Sequence, residues 1–131
     1  MITFDAITKQ YPDGTVAVDN LNLDVPQGTL TVFVGPSGCG KTTAMRMINR
    51  MIEPTSGTLT VDGRDVTRVD PVKLRLGIGY VIQSAGLMPH QRVIDNVACV
   101  PVLRGQSRRQ ACKDAYAVLE RVGLDPKLGD R

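Results

Sequence analysis

Leu30-Thr31-Val32-Phe33-Val34-Gly35-Pro36-Ser37-Gly38-Cys39-Gly40-Lys41-Thr42-Thr43 is the stretch that decides the fold. Its first five residues are apolar or β-branched, as a strand buried on both faces would be. Gly35 to Thr42 then match G-x-x-x-x-G-K-[ST]. Behind them Ala44, Met47, Ile48 and Met51 recur at helical spacing, which predicts a helix over 41–51. Each position has a physical role. Glycines let the backbone curl until successive N–H groups face one concavity. The start of the helix adds its positive dipole end. Lys41 supplies a point charge for phosphate oxygens, and the Thr42 hydroxyl suits a divalent cation. With glycine near 7% of residues, chance gives roughly one such match in two hundred chains of this length. The strand before the loop and the helix after it make a ligand-free glycine turn the poorer alternative.

Outward from the loop, the first third of the chain reads as strands. Ile2, Phe4, Ala6 and Thr8 alternate with polar neighbours, and Leu21, Leu23 and Val25 do so again. Tyr11-Pro12-Asp13-Gly14 and Pro26-Gln27-Gly28 are turn signals. Beyond the helix, Glu53-Pro54-Thr55-Ser56-Gly57 is a stop. Residues 58–61 read as a strand closed by Asp62-Gly63, and 78–82 as another. A helix is expected over 92–104, disturbed at Pro101. The last helix has Ser107 and Gln110 spaced as a capping box, a stripe of Ala111, Ala115, Val118, Leu119 and Val122, and Gly123 at its end. The expected class is α/β, with an N-terminal antiparallel β layer and parallel core strands around the loop.

Composition sets outer limits. At 131 residues, 42% hydrophobic and 22% charged, the chain is the size and make-up of one small globular domain, not a disordered or fibrous one. A net charge of +3, with three Tyr, two Phe and no Trp, offers neither a basic stripe nor stacking aromatics for nucleic acid. The longest apolar run is Val97 to Leu103, far short of the roughly 20 residues of a membrane span. No basic start followed by an apolar run opens the chain. Cys39, Cys99 and Cys112 are odd in number and far apart, as reduced thiols would be.

The residues Gly35 to Thr43 resemble the Walker A segment of ABC transporter ATP-binding subunits, members of the P-loop NTPases. Other text follows in the family's order. Tyr11 stands ahead of the loop, where the family keeps an adenine-stacking aromatic. Glu53 to Gly57 and Asp62-Gly63 resemble the segment after the Walker A helix. Gly79-Tyr80-Val81-Ile82-Gln83 resembles the Q-loop. Leu87-Met88-Pro89-His90 and Val93-Ile94-Asp95-Asn96-Val97 continue the likeness into the helical subdomain. The finer likeness, in Tyr11 to Thr15, in Met45 to Ile52 and around Gln83, is to importers of glycine betaine, choline, carnitine or proline.

The resemblance implies a nucleotide site of Tyr11, Gly35, Pro36, Ser37, Gly38, Cys39, Gly40, Lys41, Thr42 and Thr43. It implies ATP and Mg2+ as ligands, with Thr42 and Gln83 at the metal and Gln83 also at the attacking water. It implies transmembrane permease subunits and a second ATP-binding subunit as partners, no nucleic acid, no membrane insertion, and a place on the cytoplasmic face of the cell membrane. An importer of another solute, such as an amino acid, is the alternative, as is a non-catalytic nucleotide-binding or interaction fragment. The less favoured readings are an ordinary turn tyrosine for Tyr11 and a surface glutamine for Gln83. Cys39 reads as a small residue that the loop admits, against a thiol activated by Lys41 and the N–H dipoles. His90 reads as structural, and Arg104, Arg108 and Arg109 as a solvated helix start.

The family's signature Leu-Ser-Gly-Gly-Gln, its Walker B strand with the following Glu, and its switch histidine do not occur in these residues. The expectation is therefore an incomplete cassette: 1–84 as the first part of the ATP-binding core and 85–131 as the start of the helical subdomain. Weak Mg-ATP binding, negligible hydrolysis alone and marginal stability are expected with it, and enzyme status is left open. A GTPase or nucleotide kinase is disfavoured. No Asn/Thr-Lys-x-Asp motif occurs, and about thirty residues precede the loop, whereas a kinase usually opens with it.

Overall fold

Strand β1 (Ile2–Gln10) pairs antiparallel with β2 (Val16–Val25) on one side and β3 (Ser56–Val61) on the other, and β3 turns back into the short β4 (Arg64–Asp65). The sheet order is β2-β1-β3-β4. The computed structural model describes residues 1–84 and 86–131. They form two compact units, Met1–Ile78 and Gly79–Arg131. Ala85, beside the boundary read from the sequence, lies outside the described residues.

The two turns that build the sheet are as their residues dictate. Tyr11 N–H donates to Thr15 O at 2.8 Å, and Gly14 N–H to Tyr11 O at 2.9 Å, closing β1 onto β2. Asp62 and Gly63 have φ of 50° and 74°, the two left-handed residues of a tight hairpin between β3 and β4.

Strand β1 departs from simple alternation. Its partners shift between Phe4↔Leu23 and Ile7↔Leu21, and Ala6 sits at φ 49°. The extra residue is a bulge. It turns Ile7 into the core beside Phe4 and leaves Ala6, expected inside, exposed. Helix α1 (Lys41–Ile48) lays Ala44 and Met47 on Phe4, Ile7, Leu59 and Val66. Met51 falls beyond the helix end and is exposed. Helix α2 (Pro71–Leu76), not anticipated, is capped by Asp70, whose carboxylate accepts from Lys73 N–H. From α2, Arg75 donates to Asn49 O at 3.1 Å and Arg50 O at 2.7 Å, a cation on the carbonyl end of α1.

Two expected strands are not formed. Residues 30–34 have no ladder partner among the described residues, and Leu30 and Val34 are 93% and 90% exposed. Only Phe33 packs against the core. Residues 78–82 likewise form no strand, and Val81 is 93% exposed. The reason is common to both. A buried parallel strand exists only beside parallel neighbours, and every strand pair among the described residues is antiparallel.

In the second unit, α3 (Val93–Leu103) packs on α4 (Arg108–Arg121) through Ile94, Ala98, Ala111, Ala115 and Leu119. Pro101 sits in the last turn of α3, where it gives up its own N–H without breaking the helix, and Arg104 N–H still donates to Val100 O at 3.0 Å. Val118 and Val122 are exposed, unlike the expected stripe. Buried positions fall at every fourth residue, so the face is narrower than the apolar text. Ser107 accepts from Gln110 N–H at 3.4 Å, but the Gln110 amide goes to Asp114 at 2.7 Å, so the box is half-formed. Tyr116 OH donates to Asp130 at 2.8 Å, tying α4 to the 3-10 helix Pro126–Asp130.

Candidate nucleotide-binding site

Gly40 sets the loop. It is the N-cap of α1 at φ 89°, and a Cβ on it would stand 2.2 Å from Ala17 O of β2. Only glycine fits both the left-handed backbone and that approach. Gly38 is also left-handed, at φ 83°. Lys41 Nζ donates to Gly35 O and Pro36 O, both at 2.7 Å, and lies 3.2 Å from Cys39 Sγ. The ammonium is thus held across the loop by the loop's own carbonyls. A Cβ on Gly35 would meet Cys39 Sγ at 2.7 Å.

The start of α1 has neither a side-chain cap nor an acidic residue in its first turn. Its first N–H groups and its dipole therefore favour an anion. Pro36, Ser37, Gly38, Cys39 and Thr42 are exposed, and Thr43 is half-buried. Among the described residues nothing holds the Thr42 hydroxyl. No cluster of three acidic, His or Cys side chains among them could hold a metal alone. Thr42 is the residue here whose hydroxyl would be open to a cation.

A cavity of about 490 Å³ opens beside the loop, lined by Ala17, Val18 and Leu21 of β2, by Val32 and Phe33, and by Lys41. Tyr11, Ser37 and Thr42 do not line it. Tyr11 is half-buried at the β1–β2 turn, with Lys9 Nζ 5.3 Å from its ring centroid. In the same turn, Asp13 accepts from Thr15 N–H at 2.9 Å, which holds its carboxyl below the usual range. Lys9 was not singled out from the sequence. Tyr11 lies just past the end of β1, so strand alternation alone does not bring Lys9 to its ring. Gln83 belongs to the second unit and is exposed. The loop residues are brought together with β2 and α1.

An antiparallel layer, a lysine-bridged glycine loop and an uncapped helix start define part of a P-loop NTPase domain. The ABC transporter family model matches residues 18–131, and the chain belongs to that family. Over all of its residues it is 45% identical to the carnitine transport ATP-binding protein OpuCA of Listeria monocytogenes, covering 33% of that protein. It is 44% identical to the choline transport ATP-binding protein OpuBA of Bacillus subtilis, again over the whole chain and 34% of the relative. The osmoprotectant import ATP-binding protein OsmV of Salmonella typhimurium is 41% identical, over 97% of the chain and 34% of the relative. The chain thus spans about a third of the length of these relatives. Among solved structures, the ATP-binding cassette MJ0796 bound to ADP and Pi superposes with a TM-score of 0.88 at 26% identity, over 100% of this chain and 61% of that one. No helix among the described residues is long and apolar enough to cross a membrane.

Proposed function

We propose that this chain is the nucleotide-binding part of an ATPase subunit that energises an ABC importer for quaternary-amine osmoprotectants. The observation that carries the reading is Lys41, held at 2.7 Å by two loop carbonyls above a helix start with no cap and no acid. That arrangement suits the β- and γ-phosphates of ATP. On binding, the ammonium exchanges neutral carbonyls for charged oxygens, a stronger hydrogen bond. When ATP binds, the loop N–H groups within 35–43 other than Pro36 would orient the phosphates, Thr42 would hold Mg2+, and the Tyr11 ring would stack on the base. Gln83 as a second metal contact rests on the family resemblance alone. The solute class is supported by the relatives named for carnitine, choline and osmoprotectant import, at 41–45% identity. A relative named for phosphonate import is 38% identical.

Within this reading, residues 1–84 belong to the ATP-binding core and 85–131 to the helical subdomain. The partners are permease subunits at the cytoplasmic face of the membrane and a second ATP-binding subunit. The surface from Gln83 to Asn96, with Leu87 and His90 exposed on it, is the permease contact. Arg92→Glu should weaken that complex, and unchanged capture by the permease would count against the surface. Positioning and charge stabilisation carry phosphoryl transfer. These residues supply the cradle and Lys41 but no glutamate at a Walker B position.

The test is calorimetric titration of the chain with Mg-ATP, beside a hydrolysis assay. Weak binding is expected, with Lys41→Ala weakening it by about 10- to 100-fold, the worth of one or two charge-assisted hydrogen bonds. Hydrolysis should not exceed that of the variant. Binding that Lys41→Ala leaves intact would sink the site. Turnover that the variant abolishes would sink the non-hydrolytic reading.

A further inference from the structure

Asn96, in the first turns of α3, makes more specific bonds than its exposure requires. Its Oδ1 accepts from Met88 N–H at 2.7 Å. Its Nδ2 shares its two protons among Met88 O at 3.1 Å, Arg92 O at 3.1 Å and, more distantly, Gln91 O at 3.3 Å. Toward Met88 the amide therefore pairs as a backbone would, with one donor and one acceptor. The turn it grips is closed otherwise by Gln91 N–H on Met88 O at 3.0 Å. Residue 95, next door, ties the same helix start to α4. Asp95 accepts from Arg92 and Arg108, each at 2.9 Å. One side chain thus fastens the turn to α3, and its neighbour fastens α3 to α4.

We propose that Asn96 is a positioning residue for the permease contact, holding the turn from Leu87 to Arg92 in the one shape that docks. This rests on the reading of residues 83–96 as that contact. Leu87, 67% exposed, and His90, also exposed, stand on the turn. A turn free to sample many shapes would have to be ordered at the moment of binding, which weakens association. Only an amide of this length supplies both groups. A carboxylate at 96 keeps the acceptor for Met88 N–H but faces three carbonyls without a proton to give.

The experiment compares the full chain with Asn96→Asp and Asn96→Ala by hydrogen exchange, Mg-ATP titration and capture by a purified osmoprotectant permease in nanodiscs. Expected are exchange at least ten-fold faster over 86–92, capture at least ten-fold weaker, and unchanged ATP affinity and α4 exchange. Equal capture of wild type and variants overturns the inference and leaves the contact standing. A wild-type chain that the permease does not capture overturns the contact and the inference together. Should neither variant fold, the wild type still decides. Its Met88 amide must exchange more slowly than that of Leu87, and equal rates overturn the clamp.

Discussion

Gly40 meets two constraints, a φ of 89° and a Cβ position 2.2 Å from Ala17 O. A side chain there must push β2 away or unwind the start of α1. Gly40→Ala should cost about 2–4 kcal/mol, the sum of left-handed strain and a displaced backbone, and lower the urea midpoint accordingly. Lys9 is a subtler case. Its ammonium polarises one face of the Tyr11 ring, a contact worth about 0.5–1 kcal/mol at an exposed site. Lys9→Met should weaken Mg-ATP two- to five-fold, and Tyr11→Ala by more, since stacking contributes about 1–3 kcal/mol per base. The reverse order would remove Tyr11 from the base site. The loop was legible in the sequence because its chemistry lies in contiguous residues. The Asn96 clamp was not, because its acceptors at 88, 91 and 92 converge only once the turn has folded.

The bulge in β1 shows how one residue rewrites an element. Phe4 and Ile7 are both buried because Ala6 takes an unfavourable left-handed φ and absorbs the extra position. Gly57 of β3 is the counterpart. A Cβ there would lie 2.3 Å from Ala6 O and 2.6 Å from Asp5 O. Gly57→Ala should therefore lower stability by about 3 kcal/mol or more, through backbone collision as well as its own φ of 86°. Thermal unfolding of the variant checks this, and an unchanged midpoint would mean the bulge can relax. The elements closed by local turns were legible for that reason: β1, β2, β3 and the two long helices rest on hairpins, caps and periodicity. Residues 30–34 and 78–82 were read as strands from composition alone. Composition records a preference for a buried sheet, and the sheet also needs neighbours. The narrow face of α4 was hidden similarly, because Val118 and Val122 continue an apolar pattern that α3 does not cover.

The chain as a whole joins a well-cored first unit and a small helical unit to apolar stretches that face water. Its acid limit follows from the carboxylates. Thr15 N–H holds Asp13 below its usual range, the terminal amine does so for Asp62, the Thr67 hydroxyl for Asp65, and Arg92 then Arg108 for Asp95. A depressed folded pKa means that the unfolded chain binds protons first. The stabilisation is present above the unfolded value of about 3.9 and is lost as pH falls through the folded one. Stability should be flat on this account from pH 5 upward and drop below about pH 4, with Asp95→Asn shallowing the drop for the helical unit. Solubility has a different origin. Leu30, Val34 and Val81 are each at least 90% exposed, and residues 30–34, without a ladder partner among the described residues, set free backbone beside β-branched side chains, the makings of a sheet edge open to another chain. Light scattering should show association that rises with concentration near neutral pH. Val32→Lys with Val34→Lys should suppress it and lower the denaturation midpoint little, because those side chains are mostly in water, at 69% and 90% exposed. A wild-type chain that stays monomeric at high concentration would show that this edge is protected. A double variant that also unfolds the first unit would show that residues 30–34 contribute more to the fold than Phe33 alone.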